Sequence, residues 1–236
     1  LTTHHDKDAD VTMHLLNVAD PRAFGCVPTD SNGRVTAFLE KTEDPPTNQI
    51  NAGCYVFKRS VIESIPANRV VSVERETFPG LLAEGRLVVG HVDNSYWRDM
   101  GRPDDFTRGS SDLVRGIAPS PLIEGKTGES LVDPSAGIAG GVLLLSGTAV
   151  GRGSEVGAGS RLEGTVVFDG VRIEPGAIIH NSIIASGAHI GANAVIENCV
   201  IGEGAHIGAR CELLDGMRVF PGVSIPDAGV RFSSDA

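Results

Sequence analysis

The sequence predicts a two-domain chain in which a mixed α/β first half is followed by a parallel β-helix, and two observations support this. The five letters AHIGA occur at residues 188–192 and again at residues 205–209, an offset of 17. Nine of the 30 glycines lie in residues 1–118 and 21 in residues 119–236, whereas the tryptophan and both tyrosines lie in the first half. A change of composition of this kind marks a domain boundary.

The composition is typical of a soluble globular protein, since 41% of the 236 residues are hydrophobic. The formal net charge of -10 would repel phosphate, so we expect neither nucleic acid nor an anionic membrane as a partner. There is also no run of about 18 apolar residues that could span a bilayer. The four cysteines, Cys26, Cys54, Cys199 and Cys211, lack metal-binding spacing, which favours reduced thiols and a cytoplasmic location.

In the first half, strand-like runs alternate with helical ones, which is typical of an α/β domain. Strands are expected at Val11–Val18, Arg34–Leu39, Gly53–Phe57 and Leu87–Val92, and helices at Ser60–Ser64, Glu74–Ala83 and Pro103–Val114. Two prolines and two glycines in residues 117–130 indicate a linker. The predicted limits are therefore 1–116 for the α/β domain, 117–131 for the linker, 132–225 for the β-helix and 226–236 for a tail.

In the second half, aligning the sequence on 17 residues gives three aliphatic columns, spaced six, six and five residues apart. They are Val150, Val167, Ile184, Ile201; Val156, Ile173, Ile190, Ile207; and Leu162, Ile179, Ile196, Leu213. Steps of 18 extend them to Val132, Ile138 and Leu144 at one end and to Val219 and Ile225 at the other. Hexapeptide spacing with glycine at corners predicts a triangular parallel β-helix of about five coils.

Two histidines of the second half, His189 and His206, are 17 residues apart and should stack on one outer face with Glu155 and Arg172. Some β-helical acyltransferases use a catalytic histidine, so a catalytic role for these two residues is an alternative. A solvated polar row is favoured, because the coils run without a long insertion. The β-helix is therefore interpreted as a scaffold or an oligomerisation surface.

Three short stretches of the first half carry polar groups where strands end. A Ser31–Gly33 turn predicts a hairpin that presents Glu40 and Lys41. Asn51 and Gly53 stand at the start of a predicted buried strand, where a missing Cβ admits a ligand. Asp99 ends another strand, just before a helix that starts at Pro103. Taken singly, each is more often a solvated pair, a turn or a helix cap.

Taken together and in this order, the four segments FGCV, FLEKT, NAGCY and WRDMG resemble the motifs of the sugar-1-phosphate nucleotidyltransferases. The resemblance is to the branch of mannose-1-phosphate guanylyltransferases of actinobacterial type, and it spans essentially the whole chain. It implies an α/β Rossmann-like nucleotidyltransferase domain followed by a left-handed β-helix. It also implies the synthesis of GDP-mannose and pyrophosphate from GTP and mannose 1-phosphate.

The resemblance also implies roles for single residues. Gly25 would offer its backbone to the sugar, Glu40 would bind sugar hydroxyls and Lys41 would meet the sugar phosphate. Asn51 and Gly53 would line the sugar pocket. Asp99 would be one of two aspartates that hold Mg²⁺. Thr42 departs from the family pattern, which usually has proline there.

The family's opening glycine-rich loop and its G-D metal motif are absent from these 236 residues. We therefore expect a domain that is incomplete at its N-terminus and holds only the sugar-binding half of the site. Strands at Val11–Val18 and Gly53–Phe57 would then lack upstream partners, and the chain alone would be inactive and prone to associate. A glucose-1-phosphate adenylyl- or thymidylyltransferase and a non-catalytic regulatory homologue that binds a sugar nucleotide remain alternatives.

Overall fold

The chain forms two compact units, which divide between Trp97 and Arg98. The structure is a computed structural model that describes residues 1–39, 41 and 43–231. The last helix before the predicted linker, Pro103–Val114, belongs to the second unit. Among the described residues, no helix is long and apolar enough to cross a membrane.

The first unit contains a three-stranded mixed sheet with the strand order β2-β1-β3. Its strands are β1 (Val11–Asn17), β2 (Gln49–Phe57) and β3 (Val88–Val92). The α-helices of this unit are α1 (Thr2–Asp6), α2 (Arg59–Ser64) and α3 (Phe78–Ala83). The unit also has a 3-10 turn at Pro21–Ala23 and a π-helical turn at Val73–Thr77. Strand β1 runs antiparallel to β2 and parallel to β3. Alternate residues of β1, together with Phe78, form the buried core, which confirms the predicted α/β class.

Two strand predictions of the first unit are wrong. Strand β1 is central and paired on both sides, so its expected lack of a partner is not found. Strand β2 pairs with β1 and lies at the edge of the sheet, where its other side carries an isolated bridge from Ile50 to Cys26. Residues 34–39 form isolated bridges rather than a continuous strand. The reason is that the two ends of this segment bond to different parts of the chain. The Val35 N–H donates to the Val88 carbonyl at 2.8 Å, whereas the Leu39 N–H donates to the Cys26 carbonyl at 2.9 Å.

The predicted helix over 74–83 is divided into the π-helical turn and α3. Pro79 accounts for the break, because it lacks the N–H that would bond four residues back in a continuous α-helix. Strand β2 begins at Gln49, four residues before the predicted start at Gly53. The hairpin turn itself is confirmed: Asp30 N–H donates to the Arg34 carbonyl at 2.9 Å, and Gly33 has φ +77°.

The second unit begins with α4 (Pro103–Val114) and continues as a parallel β-solenoid. Two of its faces have six strands and the third has five, so it makes about six turns, one more than predicted. The first face is formed by β4 (Ser130–Val132), β7 (Thr148–Val150), β10 (Val166–Val167), β13 (Ile183–Ile184), β16 (Val200–Ile201) and β19 (Arg218–Val219). The second face is formed by β5 (Gly137–Ile138), β8 (Glu155–Val156), β11 (Arg172–Ile173), β14 (His189–Ile190), β17 (His206–Ile207) and β20 (Ser224–Ile225). The third face is formed by β6 (Leu143–Leu145), β9 (Arg161–Glu163), β12 (Ile178–His180), β15 (Val195–Glu197) and β18 (Glu212–Leu213).

The three aliphatic columns are confirmed as the core of the solenoid. Val150, Val167, Ile184 and Ile201 pair in register on successive strands, and the other two columns do the same. All twelve side chains are buried. The regular parallel stacking is consistent with a left-handed β-helix.

Helix α4 packs on an early coil of the solenoid. The Phe106 ring stacks on Phe168 at 6.3 Å between centroids, and the Ser111 hydroxyl donates to the Ser146 carbonyl at 2.6 Å. Gly147 is needed at this contact, because an added Cβ there would lie 2.6 Å from Ser111 Cα. The helix therefore forms part of the solenoid unit.

Candidate functional site

Gly25 lies in a segment that is held between two other parts of the first unit. The next residue, Cys26, exchanges both backbone hydrogen bonds with Leu39 at 2.9 Å and also bridges to Ile50. A Cβ on Gly25 would lie 3.0 Å from the Leu39 carbonyl oxygen. The glycine therefore permits a close approach of two backbones, beside the start of strand β2.

Both N–H groups of the Asn51 amide and its carbonyl oxygen make hydrogen bonds. Its Nδ2 donates to the Tyr55 hydroxyl at 2.6 Å and to Glu74 Oε1 at 2.8 Å. Its Oδ1 accepts from the Gly53 N–H at 3.0 Å. Gly53 has φ +80°, and an added Cβ would meet nothing within 4 Å. The Asn51 side chain thus holds the turn in place, and the space beside Gly53 is free of other atoms.

Aromatic side chains support this turn. The Trp97 indole N–H donates to the Ala52 carbonyl at 3.1 Å, and the Trp97 ring contacts Phe24 edge to face at 6.1 Å between centroids. Burial raises the pKa of Tyr55, whereas the hydrogen bond from Asn51 opposes that rise. Tyr55 therefore stays a neutral phenol at neutral pH.

The structure brings the predicted residues Gly25, Asn51 and Gly53 together in the first unit, through the Cys26–Ile50 bridge and the contacts of Trp97. Lys41 is exposed and follows Leu39 by two positions. Its neighbours Glu40 and Thr42 lie outside the described residues.

Asp99 lies in the second unit and is exposed. The prediction that it ends a strand is wrong, because β3 ends at Val92 and Asp99 lies outside any strand. Its Oδ1 accepts from the Gly101 N–H at 3.1 Å. Helix α4 has Arg102 at its N-cap position, without a side-chain cap bond, so Asp99 does not cap this helix. Its carboxylate oxygens are hard donors of the kind that suits a divalent cation. In the part of the chain that the structure describes, no group of three or more His, Cys, Asp and Glu side chains could hold a metal ion.

The outer row of the solenoid is as predicted. Glu155, Arg172, His189 and His206 pair on successive strands, and the two imidazoles meet edge to face at 4.5 Å between centroids. His189 Nε2 is 3.0 Å from Glu174 Oε1, which also occupies this face. Both histidines therefore belong to a partly solvated row of polar side chains, as the sequence predicts.

Sequence reasoning did not identify Glu74 as a neighbour of Asn51. The two residues are 23 positions apart and come from a π-helical turn and a strand. No periodicity links them, so only the fold reveals the pair.

Comparison with known proteins gives two family matches. The nucleotidyl transferase family model matches residues 1–116, and that of the GMPPB C-terminal domain matches residues 126–230. The chain is similar to the mannose-1-phosphate guanylyltransferase of Mycobacterium tuberculosis, with 64% identity over 236 residues, which is 100% of this chain and 66% of the relative. It is also similar to mannose-1-phosphate guanylyltransferase 1 of Arabidopsis thaliana, with 36% identity over 168 residues, or 69% of this chain and 46% of that protein. The chain thus spans about two thirds of the first relative and less than half of the second.

Proposed function

Because the chain belongs to the nucleotidyl transferase family, we propose that it forms the sugar-phosphate-binding part of an enzyme that makes GDP-mannose. The substrates are GTP and mannose 1-phosphate, and the second product is pyrophosphate. The observation that carries the proposal is the 64% identity over all 236 residues to a protein named mannose-1-phosphate guanylyltransferase.

In the proposed reaction, a phosphate oxygen of mannose 1-phosphate attacks the α-phosphorus of GTP. The new bond joins that oxygen to the α-phosphorus, and the bond to the oxygen that bridges to the β-phosphate breaks, so pyrophosphate leaves with the electron pair. The attacking phosphate is already ionised at neutral pH, so positioning and charge compensation matter more than acid–base catalysis. Lys41, exposed beside the Gly25 segment, supplies the positive charge for the sugar phosphate. Gly25, Glu40, Asn51 and Gly53 belong to the sugar-binding side.

Nucleotidyltransferases of this family generally use a divalent metal, and we propose Mg²⁺ with Asp99 as one ligand. When bound, the ion compensates negative charge at the α-phosphate. Asp99 contributes a carboxylate that the Gly101 N–H already orients. The proposed cellular location is the cytoplasm, in line with the free cysteines.

The solenoid is proposed to serve as scaffold and as a surface for homo-oligomerisation. Its outer side carries exposed apolar residues among the polar rows, including Leu143 and Ile178, which pair with the exposed Arg161. Burying such residues between copies would remove them from water.

The proposed activity is tested by incubating the full-length natural protein with Mg²⁺, GTP and mannose 1-phosphate and measuring GDP-mannose and pyrophosphate. We expect both products in equal amounts. Parallel assays use ATP or dTTP with glucose 1-phosphate. A preference for either of these pairs would replace the guanylyl assignment, and the absence of turnover with every pair would favour a binding homologue.

The scaffold role predicts that His189→Ala and His206→Ala leave turnover within about threefold, because both rings belong to a partly solvated row of polar side chains. Steady-state kinetics of the two variants and of the double variant check this. A hundredfold loss in a variant with an unchanged melting temperature would contradict the scaffold role and make the histidines part of the chemistry.

A further inference from the structure

The amide of Asn51 has no N–H left to offer a ligand. One N–H is donated to the Tyr55 hydroxyl and the other to Glu74 Oε1, and an amide has only two. Its carbonyl oxygen uses one of its two acceptor positions for the backbone N–H of Gly53. A sugar hydroxyl that needs a donor would have to displace one of these partners. Asn51 is therefore placed to shape the turn rather than to read the sugar.

Glu74 is the charged group at this turn, and it keeps the most spare hydrogen-bonding capacity. It is exposed, and a carboxylate has about four acceptor positions, of which the Asn51 amide uses one. The space beside Gly53 is open, because an added Cβ would touch nothing within 4 Å. A ligand can thus approach the backbone at Gly53, where Asn51 holds the Glu74 carboxylate beside the turn.

We propose that Glu74 is a specificity residue that accepts a hydrogen bond from a hydroxyl of the sugar, and that Asn51 is the residue that positions it. This inference rests on the proposed function, because it assigns the sugar to the turn formed by residues 51–53. Carboxylates suit this role, since a hydrogen bond from a neutral hydroxyl to a charged acceptor is stronger than one between neutral groups. The π-helical turn at Val73–Thr77 then belongs to the site, and strand β2 supplies the residue that holds it.

The test compares Glu74→Gln with the unchanged full-length protein on mannose 1-phosphate and on its 2-, 3-, 4- and 6-deoxy analogues. Replacing the charged acceptor should lower kcat/KM for mannose 1-phosphate by about 10- to 100-fold. For the one analogue that lacks the hydroxyl bound by Glu74, the same substitution should cost less than about threefold, because the lost contact is already missing. The other analogues should keep the full penalty.

Glu76→Gln serves as the matched control, because Glu76 lies in the same π-helical turn, is exposed and pairs with Arg69 at 2.8 Å. Its penalty should be small and equal for all substrates. An equal penalty of Glu74→Gln on mannose 1-phosphate and on every analogue would overturn the hydroxyl contact, and would leave Glu74 as a support for Asn51. Absence of any turnover by the unchanged protein would instead count against the proposed function itself.

Discussion

Replacing Asp99 with asparagine in the full-length natural protein is expected to lower GDP-mannose formation by roughly two to four orders of magnitude, or about 3 to 5 kcal/mol of transition-state stabilisation. The substitution keeps the shape of the side chain and removes the charge that makes it a good ligand for a hard cation. The local turn should survive, because an asparagine Oδ1 can still accept from the Gly101 N–H, as Asp99 does at 3.1 Å. Turnover measured against Mg²⁺ concentration, together with the melting temperature, checks both expectations.

Asp133→Asn is the matched control for this experiment. Asp133 accepts from the N–H two residues ahead, at Ser135, in the same kind of turn, and no part in the chemistry is proposed for it. Its variant should keep normal turnover. If Asp99→Asn also kept normal turnover and an unaltered Mg²⁺ requirement, Asp99 would not be a ligand of the metal.

The solenoid could be predicted in detail because its sequence pattern repeats from coil to coil. Each coil reuses the same three inward positions, so an error at one residue is corrected by the others, and Ile184 and Ile190 are identified by their columns alone. The columns extended to Val132, Ile138, Leu144, Val219 and Ile225 contain the inward residue of every strand, six on two faces and five on the third. The structure therefore has about six turns where the sequence predicts about five, and the additional turn is incomplete because its third face has no strand.

The candidate site could be predicted only in part. Local motifs identified Gly25, Asn51 and Gly53, and the fold brings their segments together. Glu74, which accepts one of the two N–H groups of Asn51, comes from a distant π-helical turn. Long-range contacts of this kind have no short sequence signature, because they follow from packing rather than from local preference. The role of Asp99 as a metal ligand remains a prediction.

Substituting a glycine at a corner of the solenoid is expected to have a second large effect, in this case on stability. A Cβ on Gly191 would lie 2.4 Å from the Ala209 nitrogen and 2.6 Å from the Gly208 carbonyl carbon, which are backbone atoms of the next coil. Neighbouring coils cannot move apart without breaking ladder bonds such as Gly191 N–H to the Ile207 carbonyl at 2.7 Å. We therefore expect Gly191→Ala to lower the free energy of unfolding by about 3 kcal/mol or more.

Gly187→Ala provides the comparison, because Gly187 belongs to the same coil but is required for a different reason. It has φ +67°, and an added Cβ would meet nothing within 4 Å. The cost there is only the left-handed backbone of a residue with a Cβ, about 1 to 2 kcal/mol. Denaturant unfolding of both variants measures the difference. Equal losses would show that coil spacing adapts to a methyl group, whereas a much larger loss at Gly191 would show that close contact between coil backbones, beyond the turn conformation itself, requires glycine at this corner.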